Sequence, residues 1–357
     1  MNRKNICEIC TLIMGQSPDS KSYNKDKNGI PFYQGNADFG EEHPTPTVWC
    51  TAPKKIARKG DILISVRAPI GDMNIANEDC CIGRGLAAIR LNKSDIVDIN
   101  YLYHYLSATV EFLQEQGTGS TFKAINKTTL EGIEIPCPSI EKQKNIAKLI
   151  IEIKTSIQYK KAELFALNEL VKSRFIEMFG DPVENPLGWK KVALSDVAEI
   201  KIGPFGSLLH KEDYIENGHP LVNPSHIIDG SISTDSKLSI SDVKYAELNS
   251  YHLKVGDVVL GRRGEMGRCA VVKTDSLLCG TGSLIIRANE DVTSEFIQNI
   301  ISFPSYKEYI EGMAIGQTMR NLNVPIVSNL QIIKPPLDVQ KQYYDFVKLI
   351  DKSKFVG

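Results

Sequence analysis

The stretch GDILISVRAPIGD at residues 60–72 returns 196 positions later as GDVVLGRRGEMGR at residues 256–268. Both read as a Gly-Asp turn, a short apolar strand, a basic residue and a second glycine turn. The correspondence continues in order. IPFYQGNADFG (30–40) matches HPLVNPSHIIDG (219–230), and GSTFKAINKTTLEGIEIPCPSIEKQ (119–143) matches GQTMRNLNVPIVSNLQIIKPPLDVQ (316–340). A period of about 190–200 residues is far too long for a solenoid, so the chain is constrained to fold as two whole domains of one design. With 357 residues and 42 % apolar content, it has enough apolar mass to give each domain a core.

Within each half, short β-rich runs such as 62–66 and 258–260 lie between Gly, Pro and Asp turns. Helical stretches at 100–116 and 294–312 occupy equivalent places. Strands and helices mixed without βαβ alternation place the chain in the α+β class, as two tandem domains of irregular mixed sheet and helices. The texture changes after the first copy. From Glu141 to Phe179 there is no Pro or Gly. Ile146, Ile150, Ile153, Ile157, Lys160, Leu164, Leu167, Val171, Arg174 and Met178 fall on the 4-3-4-3 spacing of a coiled-coil seam, with Lys160 and Arg174 as polar interruptions. Forty residues would make a rod of about 60 Å, which FGDPVENPLGW then stops. The expected division is a first domain at 1–139, a long spacer helix at 140–179, a second domain at 180–336, and the start of a shorter second spacer helix at 337–357.

Composition narrows the function. Lys plus Arg (42) and Asp plus Glu (43) nearly cancel, so any basic surface is local. No apolar run approaches a membrane span and the N-terminus lacks a signal peptide, which points to the cytoplasm. Eight cysteines without a secretory signal read as reduced thiols. Cys7 and Cys10, with Cys80 and Cys81, raise the question of zinc, but aligning Gly15 with Gly203 sets Ser195 and Ala198 opposite the first pair, so no metal site is expected. There is no P-loop, HExxH, nucleophile elbow or GxGxxG opening a βαβ unit. CIGRGLA and CGTGSL read as tight turns, and the six histidines lack ligand spacing. KPPL at 334–337 lacks the Asn or Asp of an amino-group methyltransferase motif. Neither catalysis nor a cofactor of its own is expected of this chain.

Two turn-rich domains on a helical spacer suit bivalent recognition of an extended ligand, and DNA half-sites one turn apart are separated by about 34 Å. The segments GDILISVRAPIG, GTGSTFKAINKTTLEGIEIPCPSIEKQ, SRFIEMFGDPVENPLGWKKVALSDV and DVQKQYYDFVKLIDKSKF resemble the specificity subunit of a Type I restriction-modification system, in order and in duplicate. The resemblance implies two target recognition domains, each reading one half of a bipartite site in double-stranded DNA and held apart by two long antiparallel helices. It implies two modification subunits that methylate adenine with S-adenosylmethionine, and restriction subunits that cleave with ATP and Mg2+. This sequence departs from the family pattern in the length of its second helix. The expectation is that the seam from about Ile157 to Met178 lacks an intramolecular partner, weakening modification-subunit docking or promoting self-association. A noncatalytic protein-interaction scaffold and an enzyme with an unusual site are the competing readings.

The duplication also sorts the DNA-binding candidates. Positions equal in both halves should be structural or touch phosphate, and positions that differ within equivalent loops should read bases. Arg67 with Arg263, and Lys123 with Arg320, are the shared cations and phosphate candidates. Gln34 and Asn36 face Asn223 and Ser225, with His226 adjacent, and Arg84 stands opposite Thr281. Arg262 and Arg268 lack basic equivalents in the first half. Gln34, Asn36, Arg84, Asn223, Ser225, His226, Arg262 and Arg268 are therefore the base-reading candidates, since amides pair with adenine and arginine with guanine. Solvated loop polarity or internal ion pairing is the ordinary alternative for each.

Overall fold

The computed structural model describes residues 2–117, 123–205, 208–314 and 321–355. The chain divides into two compact units, Met1–Lys160 and Lys161–Gly357, so the division falls inside the long helix and not at its ends.

In the first unit a four-stranded antiparallel sheet runs in the order Cys10–Met14, Leu86–Leu91, Ile62–Ser65, Met73–Ile75. Strand alternation sends Ile62, Ile64, Ala87 and Ile89 to one face and Leu63, Leu86 and Ala88 to the other. Both faces are buried, which is why these strands read as continuous apolar runs. The first face packs under the helices Ile99–Ala108 and Val110–Glu115. The other packs on a five-stranded sheet in which Ile30–Tyr33 runs parallel to Cys80–Ile82.

The second unit repeats the plan. Its antiparallel sheet is ordered Ala198–Ile202, Ser283–Ala288, Val258–Gly261, Cys269–Val271. Its companion sheet again sets one strand, His219–Val222, parallel to another, Leu277–Cys279. The helical stretches expected to be single are each broken. Thr109 interrupts the first, its hydroxyl donating to the Leu106 carbonyl at 2.8 Å. Phe303 interrupts the second because Pro304 follows and forces it into extended backbone.

Two buried amides tie each unit to its trailing helix. Gln143 accepts from the Asp98 backbone N–H and donates to the Ile96 and Pro138 carbonyls. Gln340 accepts from the Thr293 N–H and donates to the Pro335 carbonyl. The trailing helices are Ile140–Phe179, of 40 residues, and Leu337–Phe355, of 19. Gly180 ends the longer one at a φ of +74°.

The expected seam divides into three parts. Ile146 packs on the first unit's core, and Val171 and Met178 on the second's. Between them Ile153, Ile157 and Leu164 stay 50, 49 and 41 % exposed, while Ile150 and Leu167 are half-buried. The expectation that the seam lacks an intramolecular partner as far as Met178 is thereby corrected. Phe175 and Phe179 meet Tyr343 of the shorter helix edge to face at 5.5 Å each, and the Tyr343 hydroxyl donates to the Val171 carbonyl. Arg174 lies over the Phe346 ring. Aromatic burial, which a heptad count does not weigh, supplies the partner.

Candidate nucleic-acid interface

In each unit the strand ends converge on one set of turns. In the first, Gly15 N–H donates to the Leu86 carbonyl, Gly83 N–H to Tyr33, Gly85 N–H to Gln34, Val66 N–H to Gly85 and Ile125 N–H to Val66, all within 2.8–3.0 Å. The second unit repeats the ladder. Gly203 N–H donates to Ser283, Gly280 to Val222, Arg262 to Gly282 and Leu322 to Arg262, within 2.9–3.0 Å. Glycine is required at the crossing, because a Cβ on Gly15 or Gly203 would lie 2.1 Å from the carbonyl oxygen of Gly83 or Gly280. The two units thus present the same backbone frame with different side chains on it.

The frame is braced from beneath by an ion pair that sequence inspection did not single out. Asp61 accepts two hydrogen bonds from the Arg90 guanidinium, at 3.0 and 2.7 Å, and Asp257 two from Arg287, each at 2.7 Å. Both aspartates are buried. Each belongs to the repeated Gly-Asp, and the matching arginine at the far end of the sheet was the available signal.

On this frame Arg67, Lys123 and Arg263 are exposed. Arg67 bridges to Ala124, and Ala68 N–H donates to the Lys123 carbonyl, so these two cations share one edge. Arg320 lies outside the described residues. Gln34 and Arg84 are exposed and meet through Ser17. Asn36 donates its Nδ2 to Asp72 at 2.6 Å. Asn223 is half-buried with Oδ1 over Gly280, and Ser225 is exposed beside it.

The side chains of three base-reading candidates already have partners within the same unit. His226 is buried, its Nδ1 2.7 Å from the Leu221 carbonyl, so the ring closes its own turn. Arg262 donates Nε to the Leu322 carbonyl at 3.0 Å and holds the returning chain; burial and the neighbouring Arg263 lower its pKa. Arg268 donates to the Pro224 carbonyl and to Glu265, which also accepts from Lys307. Those two cations hold the Glu265 carboxyl down to about 2. Inward-facing cations are indistinguishable from outward-facing ones in a loop sequence. The cysteines are scattered in environment: Cys7 is exposed, while burial pushes the thiols of Cys10, Cys80 and Cys269 up to about 12. No cluster of three or more potential metal ligands occurs among the described residues.

The family model for the Type I restriction modification DNA specificity domain matches residues 1–169 and again residues 186–355. The chain belongs to that family. It is 49 % identical over 152 residues to the putative type I restriction enzyme MjaX specificity subunit of Methanocaldococcus jannaschii, a match spanning 43 % of this chain and only 36 % of that protein. It is 27 % identical to the type I restriction enzyme MjaIX specificity subunit of the same organism, over 98 % of this chain and 88 % of that protein. The solved S subunit of a Type I restriction-modification system from M. genitalium shares the fold, with a TM-score of 0.63 at 14 % identity over 99 % of this chain and 90 % of that one.

Each specificity domain therefore carries one copy of the glycine frame. No helix among the described residues is long and apolar enough to cross a membrane. On the shared frame the two specificity domains carry unlike side chains: Gln34, Asn36 and Arg84 in one, Asn223, Ser225 and Thr281 in the other.

Proposed function

We propose that this chain is the DNA sequence-specificity subunit of a Type I restriction-modification complex, each of its two domains reading one half of a bipartite site in double-stranded DNA. The observation that carries the reading is the repeated frame with unlike side chains. A common backbone supplies sequence-independent contacts through Arg67, Lys123 and Arg263, with Arg320 as the fourth candidate, while the unlike loop residues discriminate bases. In this reading the chain holds no cofactor and performs no chemistry. Two modification subunits methylate an adenine in each half-site with S-adenosylmethionine, and restriction subunits use ATP and Mg2+, all in the cytoplasm. The exposed stretch of the long helix around Ile153 and Ile157 is the surface available to modification subunits.

The test is co-expression with the modification subunit of the same system, followed by genome-wide mapping of adenine methylation. One bipartite motif with a methylated adenine in each half is the expected result. A stable complex that methylates nothing, or the lack of any complex, would favour the protein-scaffold reading instead.

A further inference from the structure

Arg84 sits between Gly83 and Gly85 with its guanidinium exposed and no ion pair among the described residues. Its backbone N–H donates to Ser17 Oγ at 3.3 Å, and the Ser17 hydroxyl donates in turn to Gln34 Oε1 at 2.9 Å. The direction of this relay is set by the atom that Gln34 turns toward Ser17. The Arg84 N–H takes one lone pair of Ser17 Oγ, and the hydroxyl's single proton goes to the atom it meets on Gln34, the carbonyl oxygen. Oε1 also lies over Gly83, where a Cβ would come within 2.6 Å of it. The amide is thus held with its oxygen inward and its Nε2 protons outward.

This posture changes what Gln34 can read. Bidentate recognition of adenine needs the oxygen and the nitrogen of an amide facing the same base edge, and here the oxygen is turned toward Ser17 and Gly83. Outward, Gln34 presents its Nε2 donors, and the neighbouring Arg84 is a donor only. In the major groove the base edge with two adjacent acceptors, N7 and O6, is that of guanine. We propose that Gln34 and Arg84 form a donor-only pair that selects guanine in the half-site read by the first domain, with Ser17 as the positioning residue that sets the polarity of Gln34. The proposal rests on the specificity-subunit reading above.

The second domain lacks the relay. Asn223 Oδ1 rests over Gly280, 2.1 Å from where a Cβ would stand, which repeats the posture. Yet Phe205 occupies the position of Ser17 and Thr281 that of Arg84. The effect therefore belongs to one half-site, and the other serves as an internal control for folding.

Methylated sites would be mapped for the chain co-expressed with its modification subunit, comparing wild type with Ser17→Ala, Ser17→Thr, Gln34→Glu and Arg84→Ala. The wild-type motif should contain guanine in one half-site. Ser17→Ala and Arg84→Ala should weaken that guanine preference by roughly 5- to 100-fold, the worth of a good side-chain-to-base pair. Ser17→Thr keeps the hydroxyl and should keep the preference. Gln34→Glu replaces the outward donor with an acceptor and should shift the position toward cytosine or adenine, whose amino groups donate. The second half-site should be unchanged throughout. A half-site without guanine, a preference indifferent to Ser17→Ala, or variants that weaken methylation equally at every sequence, as phosphate contacts would, overturns the proposal. A wild-type complex that methylates no bipartite motif would overturn the specificity-subunit reading itself, a result distinct from all of these.

Discussion

Asp257 illustrates how single side chains decide the stability of this fold. Its carboxylate is buried, bonds both nitrogens of one edge of Arg287, and accepts the Lys254 N–H at 2.8 Å. Removing it would leave Arg287, on an interior strand and largely buried, without its counter-charge, so Asp257→Ala should cost about 3 kcal/mol. Glu265 bonds two cations but is 51 % exposed, and Glu265→Ala should cost about 1 kcal/mol or less. The two tryptophans, Trp49 and Trp189, fall one in each unit, which makes the comparison measurable. Urea titration of a Trp49→Phe background reports the second unit through Trp189 fluorescence. Equal midpoints for the two alanine variants would refute the ranking.

At the scale of elements, the long helix is secured at its two ends and exposed in its middle. Phe179 is fully buried and meets Phe175 and Phe296 at 5.0 Å and Tyr343 at 5.5 Å. Ile157 lies on the same helix and the same expected seam, yet is half exposed. Phe179→Ala should therefore destabilise the second unit by about 4 kcal/mol. Ile157→Lys should change either unit by no more than about 0.5 kcal/mol, because the side chain leaves no cavity and charges a surface already wet. The same pair separates folding from assembly. On the proposed function, Ile157→Lys should impair capture of the modification subunit while the melting of the chain is unaltered.

For the molecule as a whole, the proposed function gives the duplicated frame two binding half-reactions with comparable phosphate terms. Arg67 and Arg263 occupy equivalent exposed positions, one in each unit. Arg67→Ala and Arg263→Ala should each weaken DNA binding of the assembled complex at every sequence and reduce the slope of log K against log salt by about 1. Titration of fluorescent duplexes at a series of salt concentrations would measure it. A change of motif without a change of slope would mean that these arginines read bases.

The duplication, the α+β class, the place of the long helix and the glycine frame were all legible in the sequence, because repetition and backbone constraint leave their mark on residue order. GDILIS and GDVVLG both read as a Gly-Asp turn leading into an apolar strand. The direction of a polar side chain leaves no such mark. Arg84 and Arg262 read alike as loop arginines, yet one faces solvent while the other holds the Leu322 carbonyl. His226 and Gln34 read alike as polar residues after a strand, yet one closes its own turn and the other is oriented by Ser17, 17 positions earlier. Heptad spacing likewise located the seam but not its aromatic partner at Tyr343. Sequence order determined which backbone is built twice. Only tertiary packing decided which side chains it leaves free, because Leu322 and Ser17, the partners of Arg262 and Gln34, come from segments far from them in the chain.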